Sequence, residues 1–158
     1  MTFTRTTDYS VIRSIITHPK VYPNVSDDFS PKREDFVPIE HPGIWYVLVS
    51  DGEELLGVFT FIPQNAVCWE VHTCLLPNAW GERAKDAGRG VIQWIWDNTP
   101  CLRIVTNVPR YNRLALGFAL QSGLKQFGNN SRSYMKKGKL HDQILLGISR
   151  ASENKICH

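Results

Sequence analysis

Two hydrophobic periods alternate along this chain. Residues 2–5 alternate weakly, as a short edge strand would. Asp8 then stands before Val11, Ile12, Ile15 and Ile16, a spacing that predicts an N-capped helix with one apolar face, ending before Pro19. Residues 19–43 lose all periodicity and are rich in Pro, Asp and Ser, with a single helical turn expected at 31–35. A connection this long inside a small domain is expected to be a binding loop or lid. From Ile44 the period becomes two. IWYVLVS, LLGVFTFI and AVCWEVHTCLL read as three antiparallel strands of a meander, turning at Asp51-Gly52 and Gln64-Asn65.

The period then returns to about 3.6. Ala84, Gly88, Val91, Ile92, Ile95 and Trp96 form one stripe of a helix that Asn98 and Pro100 end. Gly88 on that stripe predicts close approach of the helix to the sheet. LRIVTNV is a strand broken by Pro109, and Asn112 caps a helix carrying Leu114, Ala115, Phe118 and Ala119, closed by Gly123. LKQFGNN and SRSYMKK are expected to pair through a turn at Asn129-Asn130, and QILLGIS is a last strand. The order is that of an α/β domain around a mixed sheet.

Composition changes this picture little. The chain has 158 residues, enough for one domain, taken as residues 1–150 with a disordered tail at 151–158. No uninterrupted apolar run nears the ~20 residues of a membrane helix, and the first ten residues lack the apolar core of a signal peptide. The expected setting is cytoplasmic. Cys68, Cys74, Cys101 and Cys157 form no CxxC pair and read as reduced thiols, Cys157 as a tail thiol. A net charge of +3 favours no partner class. Its distribution is more telling: Arg132, Lys136, Lys137 and Lys139 fall close together, either as a solvated hairpin or as a contact for phosphate or an acidic partner.

Chemistry concentrates in residues 70–124. Strand, helix, strand, helix in this order place the first helix's N-terminus at the carboxyl end of the preceding strand, where free N–H groups can hold an anion. Cys68, Glu70, His72 and Cys74 share one face of that strand. Their outer pair would stand about 20 Å apart at ~3.3 Å per residue, so no metal site is expected. Glu70 and His72 suit acid–base chemistry instead, because imidazole changes charge near neutral pH. His18, His41 and His141 have no partner spacing, and Tyr111 has no assigned role.

Glu70, Leu75, Pro77, Trp80 and Gly81, followed by Asn112 and Gly123-Leu124, stand at the spacing of E-x-x-x-x-L-x-P-x-x-W-G and N…G-F segments. With the element order, these residues resemble the GNAT superfamily of acyl-CoA N-acetyltransferases, nearest the branch that includes ribosomal-protein N-terminal acetyltransferases. The resemblance implies a single-domain α/β fold. Its mixed, mostly antiparallel sheet has helices on both faces and a cleft where strands 4 and 5 splay. It implies acetyl-CoA as co-substrate and an amine acceptor (a protein N-terminus, Lys or small amine), with residues 19–43 as one wall of the acceptor pocket. Glu70 or His72 would be the base. Leu75 and Leu76, the loop residues Trp80, Gly81, Glu82, Arg83, Ala84 and Lys85, and Asn112 would hold the cofactor, the backbone near Leu75 acting as oxyanion donor.

This chain departs from the family where the family is most specific. Arg83 and Lys85 occupy the small positions of the phosphate loop, and Arg89 is a third cation nearby. Ala119 stands at the position of the acidic Tyr and Ala115 at that of the branch's Ser. The alternative is therefore a catalytically inactive protein of this fold with a binding or structural role. No membrane partner is expected, and nucleic acid would enter only through residues 132–139.

Overall fold

Among the described residues, seven strands form one sheet in the order β1-β2-β3-β4-β5-β7-β6. The strands are β1 (Thr2–Thr6), β2 (Trp45–Asp51), β3 (Glu54–Pro63), β4 (Cys68–Leu75), β5 (Arg103–Pro109), β6 (Lys125–Lys136) and β7 (Lys139–Ser149). The helices are α1 (Tyr9–Ile16), a single turn α2 (Tyr22–Val25), α3 (Glu82–Asn98) and α4 (Arg113–Gln121). The computed structural model describes residues 1–151; the rest of the expected tail, with Cys157, lies outside the described residues.

The predicted meander is present as β2, β3 and β4, each antiparallel to the next. Asn65 turns the chain between β3 and β4 by accepting the Val67 and Cys68 N–H groups on its side-chain oxygen, at 3.0 and 2.9 Å. Asp8 caps α1 as its position predicts, accepting from the Val11 N–H at 3.2 Å. The expected turn near Pro31 is a short helical turn at Arg33–Asp35.

Helices cover both faces of the sheet. On one face α1 buries Ile12, Ile15 and Ile16 against Tyr46, Val58 and Cys74. On the other, Ala87, Val91, Ile95 and Trp96 of α3 meet Val47, Phe59, Trp69 and Ile104. This alternation follows from β4, whose odd residues Trp69, Val71 and Leu75 face α3 while Cys74 faces α1.

Two expectations are corrected. Asn129-Asn130 is not a turn: both residues lie within β6, paired with Ile144 and Gln143 of β7. The hairpin turns at Lys137-Gly138, whose φ values of 53° and 72° are both left-handed, as a two-residue hairpin loop requires. Asn129-Asn130 precedes an irregularity between Asn130 and Tyr134, where Arg132 takes φ 51° and its N–H donates to the Asp142 carboxylate. Polar residues there mark a bulge, which shares its composition with a turn. Gly88, in turn, admits a helix and not the sheet. A Cβ added there would stand 2.2 Å from Ser122 Oγ and 3.0 Å from Phe118 Cζ, so α3 and α4 touch at this point.

Candidate active site

β4 and β5 are the one parallel pair among the described strands, and they stay together only briefly. Cys68, Trp69 and Glu70 pair with Arg103, Ile104 and Val105, and beyond Glu70 the strands separate. The Thr106 hydroxyl marks the parting point by donating to the Val71 carbonyl at 2.9 Å. The expected splay is therefore present.

Alternation along β4 determines what faces the gap. The Leu76 N–H donates to the Leu56 carbonyl at 2.8 Å, extending the β3–β4 ladder by one residue. In an antiparallel ladder, alternate residues turn their polar backbone toward that partner. The backbone groups of Val71, Thr73 and Leu75 therefore point the other way, toward β5. Thr106 meets the Val71 carbonyl, and the Trp80 indole N–H meets the Leu75 carbonyl at 2.9 Å. The Thr73 N–H and C=O and the Leu75 N–H face the gap with no strand opposite among the described residues.

A cavity of about 440 Å³ occupies this region. Its walls come from both faces of the sheet: Phe118 and Ser122 from the α3–α4 side, Tyr22, Pro31 and Phe36 from the α1 side. Val71, His72, Thr73, Thr106 and Asn107 border it between β4 and β5. The gap thus joins the two faces. Among the described residues its lining carries no Asp, Glu, Lys or Arg, and His72 is its only histidine. Residues of the 19–43 segment, among them Tyr22, Pro31 and Phe36, line part of the cavity.

Glu70 and His72 lie together, as their shared strand face requires. His72 Nε2 is 2.6 Å from Glu70 Oε2, and the His72 side chain is 51% exposed. The hydrogen bond from His72 holds the Glu70 carboxyl below its ordinary range, against burial that would raise it. Glu70 itself stands behind the imidazole and does not line the cavity.

The proposed cofactor residues divide into two sets. Asn112 lines the cavity and caps α4, its side chain accepting from the Ala115 N–H at 3.1 Å. Ala115 and Ala119, which replace the family's Ser and Tyr, line the cavity too. Residues 80–85 stand outside it. Gly81 is the N-cap of α3 at φ 100°, and its carbonyl accepts from the Ala84 and Lys85 N–H groups at 3.1 and 3.4 Å. The Glu82 and Arg83 N–H groups make no backbone hydrogen bond among the described residues, so they remain free for an anion. Both backbone groups of Leu76 are engaged elsewhere: its N–H belongs to the β3 ladder, and its carbonyl accepts from the Ala79 N–H at 2.9 Å.

The cations near this end are mostly engaged. The Arg83 guanidinium lies 2.6 Å from Glu54 Oε1 and 3.5 Å from Asp51 Oδ2, and it also donates to the Asn78 carbonyl. Its hydrogen bond holds the Glu54 carboxyl low, with a second bond from Asn78. Arg89 donates to the Gln121 carbonyl at 2.9 Å. Of these three cations, only Lys85 is unengaged, with no carboxylate within salt-bridge distance among the described residues. The Thr73 N–H and C=O and the Leu75 N–H could bond the amide groups of an extended ligand in the gap, and the α3 terminus offers backbone donors beside one unengaged cation, Lys85.

Sequence reasoning missed several neighbours of the slot. Tyr111 stacks edge-on against His141 with ring centroids 4.6 Å apart, and lies 6.4 Å from Tyr134. Burial pushes the Tyr134 hydroxyl up to about 12, and the nearby Tyr111 and Asp27 add to this. Tyr134 lines the cavity and donates to the Ser26 carbonyl at 3.0 Å. Thr106 had a legible signal, a hydroxyl within the apolar run LRIVTNV. The tyrosine cluster had none, because its members are far apart in sequence.

Residues 35–148 match the family described as "Protein of unknown function (DUF2824)". No curated protein matches the chain. Among solved structures, spermidine N-acetyltransferase from Vibrio cholerae in complex with CoA and spermine is similar at a TM-score of 0.76 and 14% identity, over 94% of this chain and 95% of that one. A point mutant of the Vibrio cholerae enzyme is similar at 0.75 and 15%, over 94% and 95%. An acetyltransferase of the GNAT family from Bacillus anthracis is similar at 0.58 and 14%, over 68% and 66%. At such identities the likeness shows the GNAT fold.

Proposed function

The chain belongs to the DUF2824 family, and we propose that it is a divergent GNAT-type N-acetyltransferase that moves an acetyl group from acetyl-CoA to a primary amine. The observation that supports this best is the cavity that passes between β4 and β5 and joins the two faces of the sheet. It lets a thioester from the α3–α4 face meet an amine from the α1 face, with His72 beside the meeting point. The Vibrio cholerae enzyme of the same fold was solved with CoA and an amine, spermine, which supports a CoA thioester and an amine as the reacting pair here. Within the superfamily, the spacing of Pro77 and Trp80-Gly81 favours the branch with ribosomal-protein N-terminal acetyltransferases. We take residues 1–150 as the one catalytic domain. A cytoplasmic setting suits both the acetyl-CoA and the free thiols Cys68, Cys74 and Cys101.

The residues divide the work as follows. Glu70 accepts from His72 Nε2–H and fixes the tautomer that leaves Nδ1 free to take the amine proton, directly or through water. The neutral amine attacks the thioester carbonyl carbon. The Leu75 N–H, facing the gap, stabilises the oxygen as it becomes negative. The C–S bond then breaks and the sulfur leaves as thiolate. Ala119 provides no acid there, and little is needed, because a thiol with pKa of about 8.5 is an acceptable leaving group. When bound, acetyl-CoA supplies the activated acyl group. The Glu82 and Arg83 N–H groups and Lys85 would meet its pyrophosphate, and Asn112 its arm.

Calorimetry with acetyl-CoA tests the premise, with stabilisation of about 2.7 kcal/mol expected at a hundredfold excess over Kd. No binding at millimolar cofactor would remove the reaction. With binding in hand, His72→Ala should lower kcat about 10²–10⁴-fold, and Glu70→Gln should do less. A second reading, the fold retained for binding without catalysis, is favoured by the ion pairing of Arg83 with Glu54 and by Ala119 in the cavity wall. Unchanged acetyl transfer in both variants would also remove the base assignment.

A further inference from the structure

A second pocket of about 720 Å³ adjoins the slot, and Asn24 and Asn112 belong to the walls of both. It lies between α2, the start of α4 and the tip of the β6–β7 hairpin. Five of its ten lining residues are basic: Arg113, Lys136, Lys137, Lys139 and His141. No carboxylate lines it among the described residues. Lys136 is committed to the carbonyls of Pro23 and Ser26, at 2.8 and 2.5 Å. Arg113, Lys137 and Lys139 are exposed, and none has a carboxylate within salt-bridge distance among the described residues.

Two acids of the 19–43 loop face this wall. The Asp28 carboxylate is taken up by the N–H groups of Lys137 and Gly138, at 2.7 and 2.8 Å, and lies near Lys136 and His141. The Asp27 carboxylate accepts from the Phe29 N–H and the Ser30 hydroxyl. Both are anchored within the loop and hairpin they join. Asp28 also holds Lys137 in its left-handed conformation at the hairpin tip, which fixes the backbone that carries Lys137 and Lys139.

Resting on the transferase reading, we propose that this basic pocket binds the anionic part of the amine acceptor, so that the acceptor is an acidic polypeptide segment whose amine reaches the slot. A polyamine has the wrong sign for these walls. Among the described residues, neither the slot nor the outer pocket presents a carboxylate in its lining, and the outer pocket presents three uncompensated cations. The outer pocket adjoins the slot at Asn24 and Asn112, so chain next to the residue that carries the amine would lie along its basic wall.

The test uses the full chain and calorimetry, so that binding is read without turnover. The titrants are short peptides with a free N-terminus, one rich in Asp and Glu and one in Ala and Ser, and spermidine, each at low and high salt. The acidic peptide should bind about tenfold more tightly than the neutral one at low salt, and most of that preference should disappear at high salt. Lys137→Glu with Lys139→Glu should erase the preference, and Lys139→Glu with Arg113→Glu, which spares the hairpin tip, should do the same. Equal affinity for the two peptides, or tighter binding of spermidine, would overturn the proposal. So would charge reversal that weakens CoA but not dephospho-CoA and leaves the peptide untouched, because the pocket would then serve the cofactor's 3′-phosphate. A peptide preference without any acetyl-CoA binding would uphold the anion pocket and remove the transferase reading.

Discussion

α3 and α4 follow the two strands that flank the slot, β4 and β5, and manage their first turns differently. Asn112 caps α4 with a side-chain hydrogen bond from the Ala115 N–H. Gly81 opens α3 with no side chain at all, in a left-handed conformation that leaves space around it. One helix satisfies a free donor internally, and the other leaves the Glu82 and Arg83 donors outward. A helix end with Gly in place of a side-chain cap is weaker by only about a few tenths of a kcal/mol and is better able to receive an anion. Arg83 is drawn aside by Glu54 and Asp51, so the end of α3 is held open by an ion pair.

The largest expected effect comes where the two helices touch. Gly88→Val drives a side chain into Ser122 and Phe118, and should cost about 2–3 kcal/mol in denaturant unfolding. Gly88→Ala should cost less and recover partly with Ser122→Ala, since Ser122 Oγ is the nearest obstacle. Failure of that rescue would show that the Phe118 ring and Ser122 Cβ, and not the hydroxyl, set the spacing.

Gly81→Ala meets no neighbour and is strained only through φ 100° and ψ −137°. It should cost about 1–2 kcal/mol. Asn112→Ala should cost about 1 kcal/mol through loss of the cap, with Asn112→Ser nearly neutral. If Gly81→Ala were neutral and Asn112→Ala were costly, the open end of α3 would not depend on its glycine.

The smallest effect is electrostatic and depends on pH. Arg83 lowers the folded carboxyl of Glu54, so the pair stabilises the protein above the ordinary carboxylate range. That contribution is lost as acidification protonates Glu54. Arg83→Gln should therefore lower the Tm slightly at neutral pH and not in acid. Glu54 is exposed and Arg83 half-buried at the surface, so salt should diminish the difference.

Much of the fold was legible because its signals are local. The period-two strands from Ile44 to Leu75, the caps at Asp8 and Asn112, and the stripe of α3 each depend on residues within a turn or two of one another. The misread hairpin shows the limit of such signals. Asn129-Asn130 has the composition of a turn, while the pairing of Asn129 with Ile144 makes it strand. The Gly at 88 was legible as a close approach, but its partner, Ser122, is set by how α4 returns to the sheet.

For the site, the sequence by itself determined the ingredients: Glu70 and His72 on one strand face, a glycine opening α3, an asparagine capping α4, and a lysine cluster near the C-terminus. Only the tertiary structure decided how they are joined. β5 leaves β4 after Glu70–Val105, which opens the slot, and Glu54 turns Arg83 away from the end of α3. Asp28 brings the lysine-bearing hairpin beside α4. Each of these depends on residues at least 29 positions apart, whose contact no local periodicity encodes.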